Sequence, residues 1–136
     1  MAFKGQPTPS TITPINRAKI SDGKGLQVTV PENTTVVAQT FVLLDGFFGV
    51  AMESAKTEAG ETAAIGLNIE QAEYETDQIT AADAFNKGDL VYYKASTKKL
   101  TTNPGTTETP NRLVGKVTNK KDASNVIHFI LLPQQV

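Results

Sequence analysis

From Leu26 onward the chain alternates with a period of two and is cut by turn residues every few positions. In LQVTV, Leu26, Val28 and Val30 point one way, and Gln27 and Thr29 the other. Successive strand side chains alternate between faces, so such a run reads as a half-buried strand. Pro31-Glu32-Asn33 follows as a turn. TTVVAQTFVLL is rich in β-branched residues and reads as one long strand or two short ones. Asp45-Gly46 is a strong hairpin signal between FVLL and FFGVAM. GETAAIGLNIE alternates again, with Ala63, Ile65, Leu67 and Ile69 on one face.

Further along, Leu90 to Lys94 reads as a strand, Ala95 to Lys98 as a turn and Lys99 to Thr102 as the returning strand. Lys94, Lys98 and Lys99 keep that edge wet, as edge strands require. NPGTTETPN is a loop, RLVGKVT a strand, KKDASN a turn and VIHFILLP a final strand. The last run is apolar on both faces and is expected to be central or covered on both sides. Thr80-Ala81-Ala82-Asp83, with Gly88 downstream, predicts one short helix over Ala81 to Asn86, capped by Thr80. The fold class expected is all-β: a small barrel or sandwich of seven to nine short strands with one short helix.

Residues 1–20 differ from the rest. Pro7, Pro9 and Pro14 alternate with Ser and Thr, which disfavours helix or a central strand. Phe3, Ile12 and Ile15 are nonetheless apolar. The segment is either a loose terminus or an extended arm that orders against a partner. If it is an arm, Phe3, Ile12, Ile15, Arg17 and Lys19 are its contact residues. The remainder, 21–136, reads as a single β domain with two similar units, about 36–70 and 88–133. Each has an apolar strand with a central glycine (Gly49-Val50-Ala51, Gly115-Lys116-Val117), a polar connection and a strongly apolar strand. Any antiparallel meander yields some such likeness, so both readings stand. In either, glycine inside a strand permits a bulge or a close backbone approach.

Chemistry is sparse. The 136 residues include no cysteine, one histidine and no tryptophan, and the formal net charge is -1. That excludes disulfides, thiolate metal sites and cysteine nucleophiles, and gives no field favouring nucleic acid or anionic lipid. His128 alone in a strand reads as a packing or edge residue. Glu70, Glu73, Glu75 and Asp77 lack the ligand spacing of a calcium loop and read as a solvated connection. Gly23-Lys24-Gly25 is too short for a phosphate loop, and no strand–GxSxG–helix context appears. No catalytic, cofactor-binding or metal residues are expected, and no cofactor. FVLLDGFFGVAM is too short and interrupted to span a membrane, and the N-terminal segment does not read as a signal peptide.

The run LLDGFFGVAMESAKTEAGETAAIGLNIEQAEYE, followed by ITAADAFNKGDLVYYKASTKKLT and NRLVGKVTNKKDASNVIHFILLP, resembles the small phage capsid cement, or decoration, proteins. The matching pieces are Gly49-Val50-Ala51, Gly60-Glu61, Gly88-Asp89, Val91-Tyr92, Lys99-Leu100 and Leu113-Val114-Gly115. They cover roughly Thr40 to Pro133. Lys116-Val117 departs from the usual Val-Ala, and Asn68 stands near a usual glycine. The resemblance implies a virion structural protein, not an enzyme, on the outer surface of the assembled head. It implies the phage major capsid protein as partner, a homotrimer, and a β-tulip-like body with an extended N-terminal arm. An alternative is a head-fibre base or a receptor- or glycan-binding virion module.

Overall fold

The computed structural model describes residues 18–134, in which eleven strands form three antiparallel sheets. The strands are β1 (Gly25–Val30), β2 (Thr35–Val36), β3 (Phe41–Leu44), β4 (Phe47–Ala51), β5 (Ala55–Lys56), β6 (Ala63–Asn68), β7 (Glu73–Thr76), β8 (Leu90–Lys94), β9 (Lys99–Thr101), β10 (Arg112–Asn119) and β11 (Ile127–Leu131). One sheet has the order β1-β6-β4-β3, the second β7-β11-β10-β8-β9, and β2 pairs with β5 in a small ribbon. Position by position, β1, β6, β4 and β3 of the first sheet answer to β7, β11, β10 and β8 of the second.

The β3–β4 hairpin turns on Asp45 and Gly46, both at positive φ (52° and 81°), the backbone of the tight two-residue turn that an Asp-Gly pair favours. The hairpin is a wall between two cores. Phe41, Phe48 and Val50, with Leu43 beside them, face a core shared with β8, β9, β10 and β11. Leu44 and Ala51, with Val42 and Phe47, face a second core built on Val28, Val30, Val36, Ile65 and Leu67. This two-sided burial is why FVLLDGFFGVAM lacks the polar alternation of a half-exposed strand. Aromatic rings fill the first core. Phe41 stacks on Phe48 at 5.6 Å and tilts against Phe129 at 5.2 Å, while Phe48 meets Tyr93 at 5.0 Å. Such pairs add to plain area burial through their quadrupoles.

The glycines at the two corresponding positions have a steric reason. A Cβ on Gly49 would collide with the Asn68 carbonyl oxygen of β6. One on Gly115 would lie 2.5 Å from Phe129 Cδ2 and 2.7 Å from the Ile130 oxygen of β11. In both sheets the backbone crosses its neighbour too closely for any side chain.

The expected helix over Ala81–Asn86 does not form; those residues are turn and coil. The Thr80 N–H, which would open the helix, donates to the Leu100 carbonyl instead, and Phe85 takes a φ of 50° that no right-handed helix admits. Phe85 is completely buried, so its side chain fixes the segment more strongly than local propensity does. The Asp83 carboxylate accepts from the Thr101 hydroxyl (2.5 Å) and the Thr102 N–H (3.0 Å), not from helical amides. The strand count also exceeds the expected seven to nine, because β5 and β7 form within stretches expected to be connections. TTVVAQTFVLL divides into β2 and β3, with Gln39 at φ 68° between them. The acidic stretch expected as a connection contains β7, which pairs with β11 through Tyr74 and Phe129. β11 is central in its sheet but covered on one face only: Ile130 is 40% exposed.

Candidate docking surface

Among the described residues, no three His, Cys, Asp or Glu side chains gather as a metal site would require. His128 lies 3.5 Å from Glu75 on an open sheet face. Burial raises the Tyr74 phenol above its ordinary value, helped by the Glu70 charge and opposed by a hydrogen bond with Asn68. Burial alone raises Tyr93 and lowers the Arg112 guanidinium. A depression of about 460 Å³ beside the β8–β9 turn is lined by Ser96, Asn103, Thr106, Thr109 and Asn111, with Lys94 at its wall. Its asparagines and threonines bond within the loop itself. Asn103 Oδ1 accepts from the Gly105 N–H, Asn111 Nδ2 donates to the Asn103 carbonyl, and Thr106 and Thr109 bond each other. No helix among the described residues is long and apolar enough to cross a membrane.

A second concavity is more apolar. Between the outer edge of β3 and the segment Pro31–Val37 runs a groove of about 380 Å³. Val36, Val37, Phe41, Val42, Leu43 and Leu44 line it, together with threonines, Gln78, Tyr93 and Lys98. Val37 stands 56% exposed at the rim. Two glutamines act as surrogate strands on this hairpin, one of them, Gln78, lining the groove. Gln78 accepts from the Phe41 N–H and donates to the Phe41 carbonyl, both at 2.8 Å. Gln134 does the same for Phe48, again at 2.8 Å in both directions. Each side-chain amide supplies the donor and acceptor that a neighbouring backbone would have offered. On the outer face of the second sheet, Leu90 (41% exposed) and Ile130 (40% exposed) flank Lys116 across adjacent strands.

Of the contact residues expected from sequence, Lys19 is mostly exposed and ion-paired with Asp22 at 2.7 Å, beside a fully exposed Ile20. Phe3, Ile12, Ile15 and Arg17 lie outside the described residues. Sequence reasoning missed Val37, Leu43, Gln78 and Gln134. Val37 carried a trace, an apolar residue directly after the inward Val36. The glutamines carried none, since their partners are far away in the chain.

Comparison with protein families matches residues 20–133 to the phage cement proteins. The match spans nearly all of the β body. The chain belongs to the phage cement protein family. Its role is therefore structural, in the capsid of a virion, and its surfaces are to be read as those of a cement protein. Comparisons with curated proteins and with solved structures return no match.

Proposed function

We propose that this cement protein binds the outer surface of the assembled, expanded head and stabilises it by bridging major capsid proteins. The observation that carries the reading is the family match across 20–133, on a body whose two cores and surrogate strands serve rigidity. A ligand that binds an assembled lattice but not loose subunits stabilises the lattice by mass action. A homotrimer spanning several coat subunits would gain on the order of 10²-fold in avidity, so each contact can be weak. The body is read as β-tulip-like, with units at about 36–70 and 88–133. The shared strand order of the two large sheets supports that reading and extends it to include β1 and β7. Residues 1–20 serve as the docking arm, with Phe3, Ile12, Ile15, Arg17 and Lys19 as contacts.

The test is co-sedimentation with undecorated expanded capsids, unexpanded procapsids and loose coat protein. Saturable binding to the expanded shell alone is expected. Binding to no shell would overturn the reading and turn attention to glycan arrays.

A further inference from the structure

The outer face of the second sheet carries a line of four side chains that is complementary to itself. Ile130 on β11 stands opposite Lys116 on β10 to one side and opposite Glu73 on β7 to the other. Lys116 in turn stands opposite Leu90 on β8. Residues directly opposite in an antiparallel ladder share a face, so Leu90, Lys116, Ile130 and Glu73 cross the sheet in one line. All four are exposed. The other face of the same strands carries Val91, Val117, Phe129 and Leu131 into the first core.

The two charges in the line do not pair within the chain. Glu73 accepts from the Thr118 hydroxyl, and among the described residues Lys116 forms no ion pair. Neighbouring strands lie about 4.8 Å apart, so about 10 Å of sheet separates the lysine from the glutamate, with Ile130 midway.

We propose that this face pairs with the same face of a second copy of the chain, about a twofold axis running along β11 at Ile130. Such an axis exchanges the two neighbours of β11. It sets Ile130 against Ile130, and Lys116 of each copy over Glu73 of the other, so the opposite charges meet twice in an isologous contact. Charge selects this axis among the twofolds open to the face. An axis across the strands along the same line sets lysine on lysine and glutamate on glutamate. An axis along β10 sets Lys116 on itself. One between β10 and β11 sets Lys116 on Ile130 and Glu73 on Leu90. Like charges brought together oppose association, and charges set on apolar groups lose water without gaining a partner. The area is small, on the order of a few hundred Å² per copy from strand spacing and rise, against about 800 Å² per partner in a standard interface. The contact is therefore weak between free chains and strengthens where copies are held close together. It does not depend on the capsid-binding reading.

The test is sedimentation equilibrium of the full-length protein at low salt and at concentrations up to about 1 mM, the range a small interface demands. It is run at about pH 8, where histidine is uncharged, because the axis also brings His128 of β11 to its counterpart. Reversible association of the unmodified chain is expected. Lys116→Glu alone and Glu73→Lys alone should each weaken it at least about tenfold. An equimolar mixture of those two variants should recover it, and so should the double variant Lys116→Glu/Glu73→Lys. Mixing cannot cure a folding defect, so recovery reports charges pairing between copies. A threefold contact elsewhere on the body is common to every variant and cancels in the comparison. Association of the unmodified chain no stronger than that of the single variants would overturn the proposal. So would loss in the single variants without recovery in their mixture.

Discussion

The Asp45 carboxylate accepts a hydrogen bond from the Thr29 N–H at 2.7 Å, joining the tip of the β3–β4 hairpin to β1 across the seam of a curled sheet. One residue thus serves the turn through its backbone at φ 52° and the seam through its side chain. Asparagine tolerates this turn and retains an acceptor, whereas alanine does neither. Asp45→Asn should cost under about 1 kcal/mol and Asp45→Ala about 1–3 kcal/mol. Urea denaturation midpoints of the two variants check this; equal losses would show that the seam and the turn are not both held by Asp45.

The surrogate strands predict an asymmetry between two substitutions at Gln78. Its amide serves the Phe41 N–H, the Phe41 carbonyl and the Lys98 carbonyl. Gln78→Ala strands partly buried backbone groups and should cost about 1–3 kcal/mol. Gln78→Glu keeps the acceptor but sets a carboxylate against two carbonyl oxygens, so it should be no more stable than the alanine variant. Thermal melts of the pair decide the matter, and recovery of stability in Gln78→Glu would show that the donor half contributes nothing.

Three glycines test the close strand crossings. Gly49→Ala and Gly115→Ala place a methyl group against neighbouring strands and should each cost about 1–3 kcal/mol or more. Gly66→Ala meets only side-chain atoms, the nearest being Met52 Sδ at 3.2 Å on a residue that is 57% exposed and able to move, with Glu53 Oε1 at an ordinary 3.6 Å. Its loss should be distinctly smaller. Chemical denaturation of all three variants side by side would expose an error if Gly66→Ala proved the worst.

Alkaline pH should unfold the protein through its tyrosines. Burial raises the folded-state pKa of both Tyr93 and Tyr74 above 10.0, with the Glu70 charge adding to the effect at Tyr74. Above the unfolded pKa the unfolded chain releases protons that the folded chain retains, so stability is full below that pH and falls as pH rises through the shifted values. Tyr93→Phe removes one such group and should flatten the fall. Stability curves from pH 8 to 12 for both proteins check the sign (range set by the ordinary tyrosine value of about 10); identical slopes would contradict it.

Much of this fold is legible where one residue's surroundings are local. The Asp45-Gly46 turn, the alternation of Ala63 to Ile69 and the lysine-rich turn after Lys94 each follow from neighbours in sequence, and each stands where expected. The segment around Phe85 was misread because capping signals are local, while the burial that overrides them comes from a core assembled across the chain. β7 was missed because its alternation, Glu73-Tyr74-Glu75-Thr76, holds a single apolar residue, and its pairing partner lies far away on β11. The groove was invisible for a related reason. A strand edge is created by sheet order, and nothing in FVLL says that β3 would lie outermost. Family membership was legible through the order and spacing of small pieces such as Gly49-Val50-Ala51 and Leu113-Val114-Gly115, positions now tied to the close strand crossings.

The most direct test of cement action is scanning calorimetry of expanded capsids with and without saturating protein. The account predicts that the shell's disruption endotherm moves to higher temperature as copies are added, levels off at saturation, and does not move when procapsids are used. Saturable binding with no shift in that endotherm would show a passenger on the head and contradict a cement.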